Sequence, residues 1–206
     1  MSELMERTAA ALRKRGFVAE CCATGAEAAA YVMKESETAR SVGFGGSVTV
    51  KSLGLVDALT AAGKEILRHG DPKWTPEQKV EVMNRELTCD LFLLSANALM
   101  ADGRLVNIDG NGNRVAASIY GPKKVIFIVG RNKIVEGGLD DAIARIKKFA
   151  CPPNCKRLGK KTPCALTGVC ADCDSPDRIC KVTVVMDRKP TKTDARVLLV
   201  DEDLGY

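Results

Sequence analysis

Cysteine is the residue whose number and spacing in this chain point most directly to chemistry. The 206 residues include nine cysteines, and six of these fall between Cys151 and Cys180. Four of the six are separated by five, two and six residues: Cys164, Cys170, Cys173 and Cys180. Four thiolates complete a tetrahedral zinc site or the ligand set of a cubane iron–sulfur cluster. Because the flanking residues are polar, packing as small apolar side chains explains this set poorly. We predict a metal centre, either a 4Fe–4S cluster or zinc.

The remaining cysteines divide into two groups. Cys151 and Cys155 precede the four predicted ligands and are alternative ligands or redox partners. Cys21, Cys22 and Cys89 lie in apolar patterns typical of core positions. The N-terminus lacks the apolar segment of a signal peptide, and no run approaches the roughly 18 apolar residues of a membrane span. We therefore expect a cytoplasmic protein without a membrane span, in which structural disulfides are rare.

A glycine-rich segment is the first candidate for ligand binding. Gly43, Gly45 and Gly46 precede Ser47 and Thr49, between a predicted strand and a predicted helix. Glycine lets the backbone approach a ligand, and the free N–H groups of a helix start, with two hydroxyls, favour a carboxylate or phosphate. The spacing matches neither the dinucleotide fingerprint nor the phosphate-binding loop of NTPases, and a plain tight turn is the alternative. We predict a ligand loop, since open parallel sheets bind ligands at the carboxyl ends of their strands.

A second polar segment follows the apolar run that ends at Leu94. Five of its side chains are predicted to orient a small polar ligand: Asn97, Asp102, Asn107, Asp109 and Asn113. Turn formation is the alternative, because Asn-Gly and Asp-Gly pairs favour positive φ. The spacing and the lack of a terminal Glu exclude a calcium-binding EF-hand loop.

The elements that must hold these segments alternate between strand and helix. Continuous apolar runs at 90–94 and 124–130 are typical of strands buried in a parallel sheet. Helices are predicted at 26–34, 48–62, 75–88 and 139–150, and late strands at 182–186 and 196–200 on either side of a hairpin-like turn. This order predicts a three-layer α/β fold, a mostly parallel sheet with helices on both faces. We divide the chain into an α/β core (1–150), a Cys-rich segment (151–181) and C-terminal strands that complete the same domain (182–206).

Composition and charge limit the kinds of molecule that we expect this protein to bind. Aromatic residues make up only 4% of the chain, which argues against a stacking surface for nucleic acid bases. The net charge is +5, and seven Lys or Arg without any acid fall within 145–161. A solvated face explains this stretch most simply, with an anionic ligand or an acidic partner as the alternative. His69, the only histidine, lies in a predicted loop, where histidine is more often a surface residue than a catalyst, with a catalytic base as the alternative.

Several of these segments together resemble the lactate-utilisation (LUD) domain family. The resemblance covers essentially the whole chain, and the Asn/Asp/Gly-rich part is its most specific section. It rests on Gly43–Thr49, Ser95–Ala116, Tyr120–Lys124, Pro152–Asn154, Thr162–Cys180 and Leu204–Tyr206.

The resemblance implies a fold similar to that of sugar-phosphate isomerases, glucosamine-phosphate deaminase and CoA transferases. It also implies a role in an iron–sulfur-containing system that oxidises L-lactate to pyruvate, with partner subunits and possible oligomers. The twin ferredoxin-type cysteine runs of the larger subunit of that system are absent here, and no catalytic residue of the isomerases or transferases falls on a matching motif. Three hypotheses follow: a protein acting in 2-hydroxy acid oxidation, a non-catalytic metabolite-binding module with a structural zinc, and an isomerase- or transferase-like enzyme acting on sugar phosphates or CoA esters.

Overall fold

Strands and helices alternate along most of the computed structural model, which describes all 206 residues. The strands are β1 (Val18–Cys22), β2 (Ser41–Phe44), β3 (Glu65–Leu67), β4 (Leu91–Leu94), β5 (Ala98–Met100), β6 (Leu105–Asp109), β7 (Lys124–Gly130), β8 (Ile134–Val135), β9 (Val182–Met186) and β10 (Asp194–Val200). The helices are α1 (Glu3–Lys14), α2 (Gly25–Glu35), α3 (Val48–Ser52), α4 (Leu55–Ala61), α5 (Pro76–Glu86), α6 (Asn113–Ile119), α7 (Leu139–Arg145), α8 (Cys151–Arg157) and α9 (Pro163–Thr167).

Six strands form a central sheet in the order β1-β10-β7-β4-β2-β3, and every neighbouring pair is parallel. Apolar side chains from α1, α5 and α6 pack against one face of this sheet, and those from α2, α3 and α4 pack against the other. The prediction of an α/β fold with a mostly parallel sheet is confirmed. The division of the chain into core, Cys-rich segment and completing strands stays a prediction.

A second, four-stranded sheet has the order β8-β5-β6-β9, and its strands β5 and β6 lie in the polar segment that follows Leu94. Strands β5 and β6 form an antiparallel pair, and β9 adds to the other edge of β6. The hairpin-like pairing expected for the two late strands is wrong, because β9 belongs to this sheet while β10 lies between β1 and β7. Periodicity indicates a strand but not its partner.

Two predicted helices have different bounds from those expected. The helix predicted at 48–62 is divided into α3 and α4 at Gly54, whose φ of +64° is left-handed and interrupts the helix. The helix predicted to end at Ala150 instead passes through one π-helical turn, Ile146–Ala150, and continues as α8. The capping signature at Thr75 is confirmed, with reciprocal hydrogen bonds between Thr75 and Gln78. None of the helices is long and apolar enough to cross a bilayer.

Candidate functional site

A cavity of about 410 Å³ lies at the carboxyl ends of four neighbouring strands of the central sheet. Residues that follow each strand contribute to its wall: Lys133 after β7, Ser95 and Asn97 after β4, Gly45–Thr49 after β2, and His69 after β3. The opposite wall is formed by residues of 150–181 and by the C-terminal Tyr206. We call residues 151–181 the cysteine lobe. The cavity is therefore bounded by the sheet on one side and by the cysteine lobe on the other.

The glycine loop runs among three side chains of the site, Arg114, His69 and Lys133. Gly45 lies so close to Arg114 that a Cβ there would be 2.9 Å from the Arg114 Cγ, which accounts for glycine at this position. Gly46 lies beside the imidazole of His69, and the Thr49 hydroxyl lies 2.7 Å from the Lys133 Nζ. Residues 45–49 of the loop therefore contact or approach all three side chains.

Lys133 is the most enclosed cation of the cavity. Its side chain is only 3% exposed, and its Nζ donates to the Thr49 Oγ1 at 2.7 Å and to the Ser95 Oγ at 3.0 Å. No carboxylate pairs with it. Burial, followed by the positive charges of Arg145 and Arg114, lowers the pKa of Lys133 from 10.5 to about 7. Lys133 thus supplies a hydrogen-bonded amino group without a negative partner, which an anionic ligand could provide.

Arg114 is held by Asn97, which follows β4, and by residues within β6. Its guanidinium donates to the Asn97 Oδ1 at 3.0 Å, the Asn107 Oδ1 at 3.2 Å and the backbone oxygen of Ile108 at 2.8 Å. The Asp109 carboxylate lies 3.7 Å from Nε and also accepts from the Val115 N–H. Burial lowers the pKa of Arg114 from its usual value. Much of the Asn/Asp-rich segment therefore positions a cation at the cavity wall.

His69 and Glu86 form a hydrogen-bonded pair at the end of the cavity next to β3. The His69 Nδ1 lies 2.8 and 3.0 Å from the two Glu86 carboxylate oxygens, and the His69 N–H donates to Oε1 at 3.1 Å. Glu86 is 1% exposed, whereas His69 is 22% exposed and lines the cavity. The arrangement fixes the imidazole and leaves its other nitrogen, Nε2, next to Gly46.

The structure brings most of the predicted ligand residues to the cavity and places three elsewhere. The seven that line it are Gly45, Gly46, Ser47, Thr49, Asn97, Asp109 and Asn113. Gly43 packs inside the sheet against Phe92, and Asn107 is buried behind Arg114. Asp102 lies in the turn between β5 and β6, where it pairs with Arg15 and Arg104. Ligand binding by these residues stays a prediction.

The predicted metal ligands line a second, smaller cavity of about 20 Å³ in the cysteine lobe. Cys164, Cys170, Cys173 and Cys180 contribute to its wall together with Cys155. The Cys151 Sγ lies 3.3 Å from the Cys180 Sγ. Thiols are donors that zinc and iron–sulfur centres take, but no three or more of the His, Cys, Asp and Glu side chains are arranged to hold one ion. The metal prediction, including its alternatives Cys151 and Cys155, remains to be tested.

The cysteine thiols of the lobe have unequal acidity. The hydrogen bond with Cys151, aided by Arg178 and Lys147, lowers the pKa of Cys180 to about 7 against the effect of burial. The hydrogen bond with Cys180 and burial together raise the pKa of Cys151. Burial raises the pKa of Cys155 to about 11. The thiolate is the form that binds metals and reacts with oxidants, and the lowered pKa favours this form at Cys180.

Sequence reasoning missed the charged residues of the site. Lys133 and Arg114 were not selected, and neither was Glu86, which lies in an ordinary helical pattern. His69 was interpreted as a surface residue, but it lines the cavity. A signal was available for Lys133, because Arg131–Lys133 directly follow the most apolar strand of the sheet, where open α/β sheets place their functional residues.

Comparison with known proteins gives one family and one structure. The family model described as the LUD domain matches residues 5–200. A crystal structure of a DUF162 family protein from Deinococcus radiodurans is similar, with a TM-score of 0.57 and 15% sequence identity over 97% of this chain and 99% of that one. At this identity the likeness concerns the fold alone. None of the curated proteins matches the chain.

Proposed function

This chain belongs to the LUD domain family, and from that premise we propose that it binds a small 2-hydroxy acid, such as L-lactate, and acts in its oxidation. The acid would occupy the cavity at the strand ends, and the cysteine lobe would hold an iron–sulfur centre. Electrons from the acid would pass to iron–sulfur partner subunits. The identity of the acid, the cluster and the partners are all part of the proposal.

Charge around the cavity supports an anionic ligand. Six Lys or Arg line it and only two Asp, one of which pairs with Arg114. Lys133 has a third N–H when protonated, because two of its three donate to Thr49 and Ser95. A carboxylate beside Lys133 would supply the negative charge that this amino group lacks, and hydrogen bonds to ionised groups are roughly twice as strong as neutral ones.

One observation carries the redox part of the proposal. Cys180 lines the large cavity and also the small cavity formed by the predicted metal ligands, and Cys151 lines the large cavity as well. A ligand in the large cavity would therefore lie against the residues that hold the centre. Cys164, Cys170, Cys173 and Cys180 would hold it, with Cys155 or Cys151 as a replacement for one of them. When bound, an iron–sulfur cluster would accept electrons from the substrate one at a time.

Anaerobic purification followed by metal and sulfide analysis tests the centre. We expect brown protein that contains iron and sulfide, and loss of both in the Cys170→Ser/Cys173→Ser double variant. Cys21→Ser, which removes a thiol far from the lobe in sequence, is the matched control and should keep the full metal content. Colourless protein with one zinc per chain would favour the non-catalytic binding module with a structural zinc.

Oxidation is tested with the brown protein, L-lactate and dichlorophenolindophenol, a two-electron acceptor dye. Oxidation of L-lactate to pyruvate releases two electrons and two protons, which the dye takes up. We expect L-lactate-dependent bleaching in the wild type, and a loss of at least about tenfold in Lys133→Met, which removes one charge-assisted hydrogen bond. If L-lactate and its close homologues cause neither binding nor bleaching, 2-hydroxy acid oxidation is the wrong function.

The size of the cavity favours a second candidate, an enzyme acting on sugar phosphates or CoA esters. Sites for drug-sized ligands measure roughly 300–1,000 Å³, so a cavity of about 410 Å³ has room for more than a three-carbon acid. Arg157, Lys160, Arg178 and Lys181 line its lobe side, where a phosphate could bind. This candidate also agrees with the isomerase- and transferase-like fold that the family implies. Turnover of a phosphosugar or CoA ester without any oxidant would favour it.

A further inference from the structure

His69 occupies a position that the proposed carboxylate-binding residues do not explain. It follows β3, contributes to the cavity wall, and has its Nε2 beside Gly46, where an added Cβ would lie 3.8 Å from that nitrogen. Lys133 and Arg114 approach the same glycine loop at Thr49 and Gly45. The imidazole is thus presented to the space that a ligand held by these two cations would occupy.

Glu86 determines which imidazole nitrogen can accept a proton. Its carboxylate only accepts hydrogen bonds when ionised, so the His69 Nδ1 must donate, and the neutral imidazole then has an unprotonated Nε2. The same carboxylate accepts the His69 backbone N–H and lies 3.5 Å from the Asn113 Nδ2. A carboxylate that is 1% exposed and holds both the main chain and the ring of one histidine fixes the orientation of that ring.

Lys133 and Asp109, two other titratable groups of the cavity, are already engaged by hydrogen bonds within the protein. The Lys133 Nζ donates to the Thr49 and Ser95 hydroxyls. Asp109 accepts from the Gly110 and Val115 N–H groups and pairs with Arg114. In contrast, the His69 Nε2 has no hydrogen-bond partner within the protein.

We propose that the His69 Nε2 is the base that takes the hydroxyl proton of the bound 2-hydroxy acid, and that Glu86 is the residue that positions it; this inference rests on the proposed function. In the step, the O–H bond breaks and its proton moves to Nε2. The Cα–H bond breaks, its two electrons pass to the oxidant, and its proton is taken up by the reduced dye in the assay or by water when the oxidant is an iron–sulfur partner. The C–O bond becomes C=O, so the acid loses two protons and two electrons in all. The oxidant is the iron–sulfur partner of the proposed function, or dichlorophenolindophenol in the assay.

The first test uses the fact that the chain has a single histidine. In protein labelled with ¹⁵N-histidine, one imidazole gives the nitrogen signals, and His69→Gln confirms their origin by removing them. At a pH where this imidazole is neutral, we expect the wild type to carry the proton on Nδ1 and Glu86→Gln to show a mixture of both tautomers. The matched control Glu81→Gln, an exposed position on the same helix, should leave the tautomer unchanged. A wild-type proton on Nε2 overturns the inference, whether or not any substrate is known.

Two ligands that differ in one hydroxyl group test whether that hydroxyl contacts the His69 Nε2. L-Lactate and propionate share the carboxylate, but propionate lacks the hydroxyl. We expect L-lactate to shift the Nε2 resonance and propionate to bind without shifting it. Equal shifts with both ligands overturn the inference, because the hydroxyl would then not contact Nε2.

Turnover gives the second test. General base catalysis typically contributes 10²–10⁴-fold to rate, so we expect kcat of His69→Gln to fall about 100-fold or more with little change in KM. Glu86→Gln should lower kcat by about tenfold or more through the altered tautomer, and Glu81→Gln should have no effect. Circular dichroism and thermal unfolding identify any variant that fails to fold, in which case the tautomer of the wild type still decides.

The two proposals fail in different ways. A wild type that bleaches the dye with L-lactate while His69→Gln retains kcat within about twofold overturns the role of His69 and leaves the proposed function intact. A wild type that neither binds nor oxidises L-lactate or a related 2-hydroxy acid overturns the proposed function, and the role of His69 in it falls as well.

Discussion

The two walls of the large cavity, the sheet on one side and the cysteine lobe on the other, are stabilised by different interactions. On the sheet side, Phe127 and its neighbours in β7 are fully buried, and the cations Lys133 and Arg114 donate hydrogen bonds to oxygen atoms of the protein. On the side of the cysteine lobe, no helix or strand occurs between the end of α9 and the start of β9. Leu166 there is 87% exposed. The sheet side thus has an apolar core of its own, whereas the lobe has little.

Individual side chains hold the lobe instead. Arg178 donates to the backbone oxygens of Cys173 and Cys180 and pairs with Asp172. Asp177 accepts the Lys161 N–H. Segments with few buried apolar contacts open at lower free energy than the core of a protein. The sheet therefore fixes one side of the cavity, while the order of the lobe depends on a few hydrogen bonds and on any centre that its thiols hold.

The largest expected difference between the two regions is in the free energy of unfolding that a Phe→Ala substitution removes. Phe127→Ala removes a fully buried ring from β7, and loss of such a ring typically lowers the free energy of unfolding by about 3–5 kcal/mol. Phe149→Ala changes a ring that is 52% exposed and lies just before the cysteine lobe in the chain. We expect the free energy of unfolding to fall by less than about 1 kcal/mol. Urea denaturation of both variants measures the difference. Equal losses would show that the lobe side has a core as well packed as that of the sheet.

The next effect concerns the buried cation of the sheet side and depends on pH. With its pKa lowered from 10.5 to about 7 by burial, folded Lys133 releases its proton between these values while the unfolded chain keeps it. The wild type therefore gains stability as pH rises through this window, and below about pH 7 the full cost of a buried charge is present. We expect Lys133→Met to be more stable than the wild type by roughly 2–4 kcal/mol at pH 6, and this gain to shrink towards pH 10.

Urea denaturation at pH 6 and pH 10 measures this change, and Lys34→Met, an exposed position on α2, is the matched control that should show no pH-dependent difference. A Lys133→Met gain that is the same at both pH values would mean that Lys133 keeps its ordinary pKa in the fold.

The smallest expected effect is on local opening of the cysteine lobe, measured by amide hydrogen exchange. Arg178→Ala removes the hydrogen bonds to the Cys173 and Cys180 backbone oxygens, each worth about 1 kcal/mol net. We expect amide hydrogen exchange within 170–181 to accelerate about tenfold, while exchange in β7 and β10 and the global urea midpoint stay unchanged. Arg131→Ala, which removes exposed ion pairs with Asp201 and Asp203 after β7 and β10, should leave the lobe unaffected. Faster exchange in β7 as well would show that lobe and sheet open as one unit.

Local sequence patterns predicted the elements better than their arrangement. The apolar runs ending at Leu94 and Gly130 are strands β4 and β7, and the capping box at Thr75 begins α5. These elements follow from contacts within a few residues, which a local pattern reflects. The pairing of the late strands was wrong, and the Asn/Asp-rich segment contains strands β5 and β6, because pairing depends on residues far away in the chain.

The same contrast holds for the candidate site, because local patterns predicted its separate segments but not which residues meet. By itself, the sequence determined an α/β fold, a glycine loop after a strand and a compact set of cysteines near the C-terminus. Only the tertiary structure decided that Lys133, Arg114 and His69 meet at that loop, and that Cys180 lines the same cavity. The physical reason is strand order: β7, β4, β2 and β3 are neighbours in the sheet although more than 60 residues separate the ends of β3 and β7 in the chain. Side chains that follow these parallel strands therefore converge at one edge, and no local spacing in the sequence records that convergence.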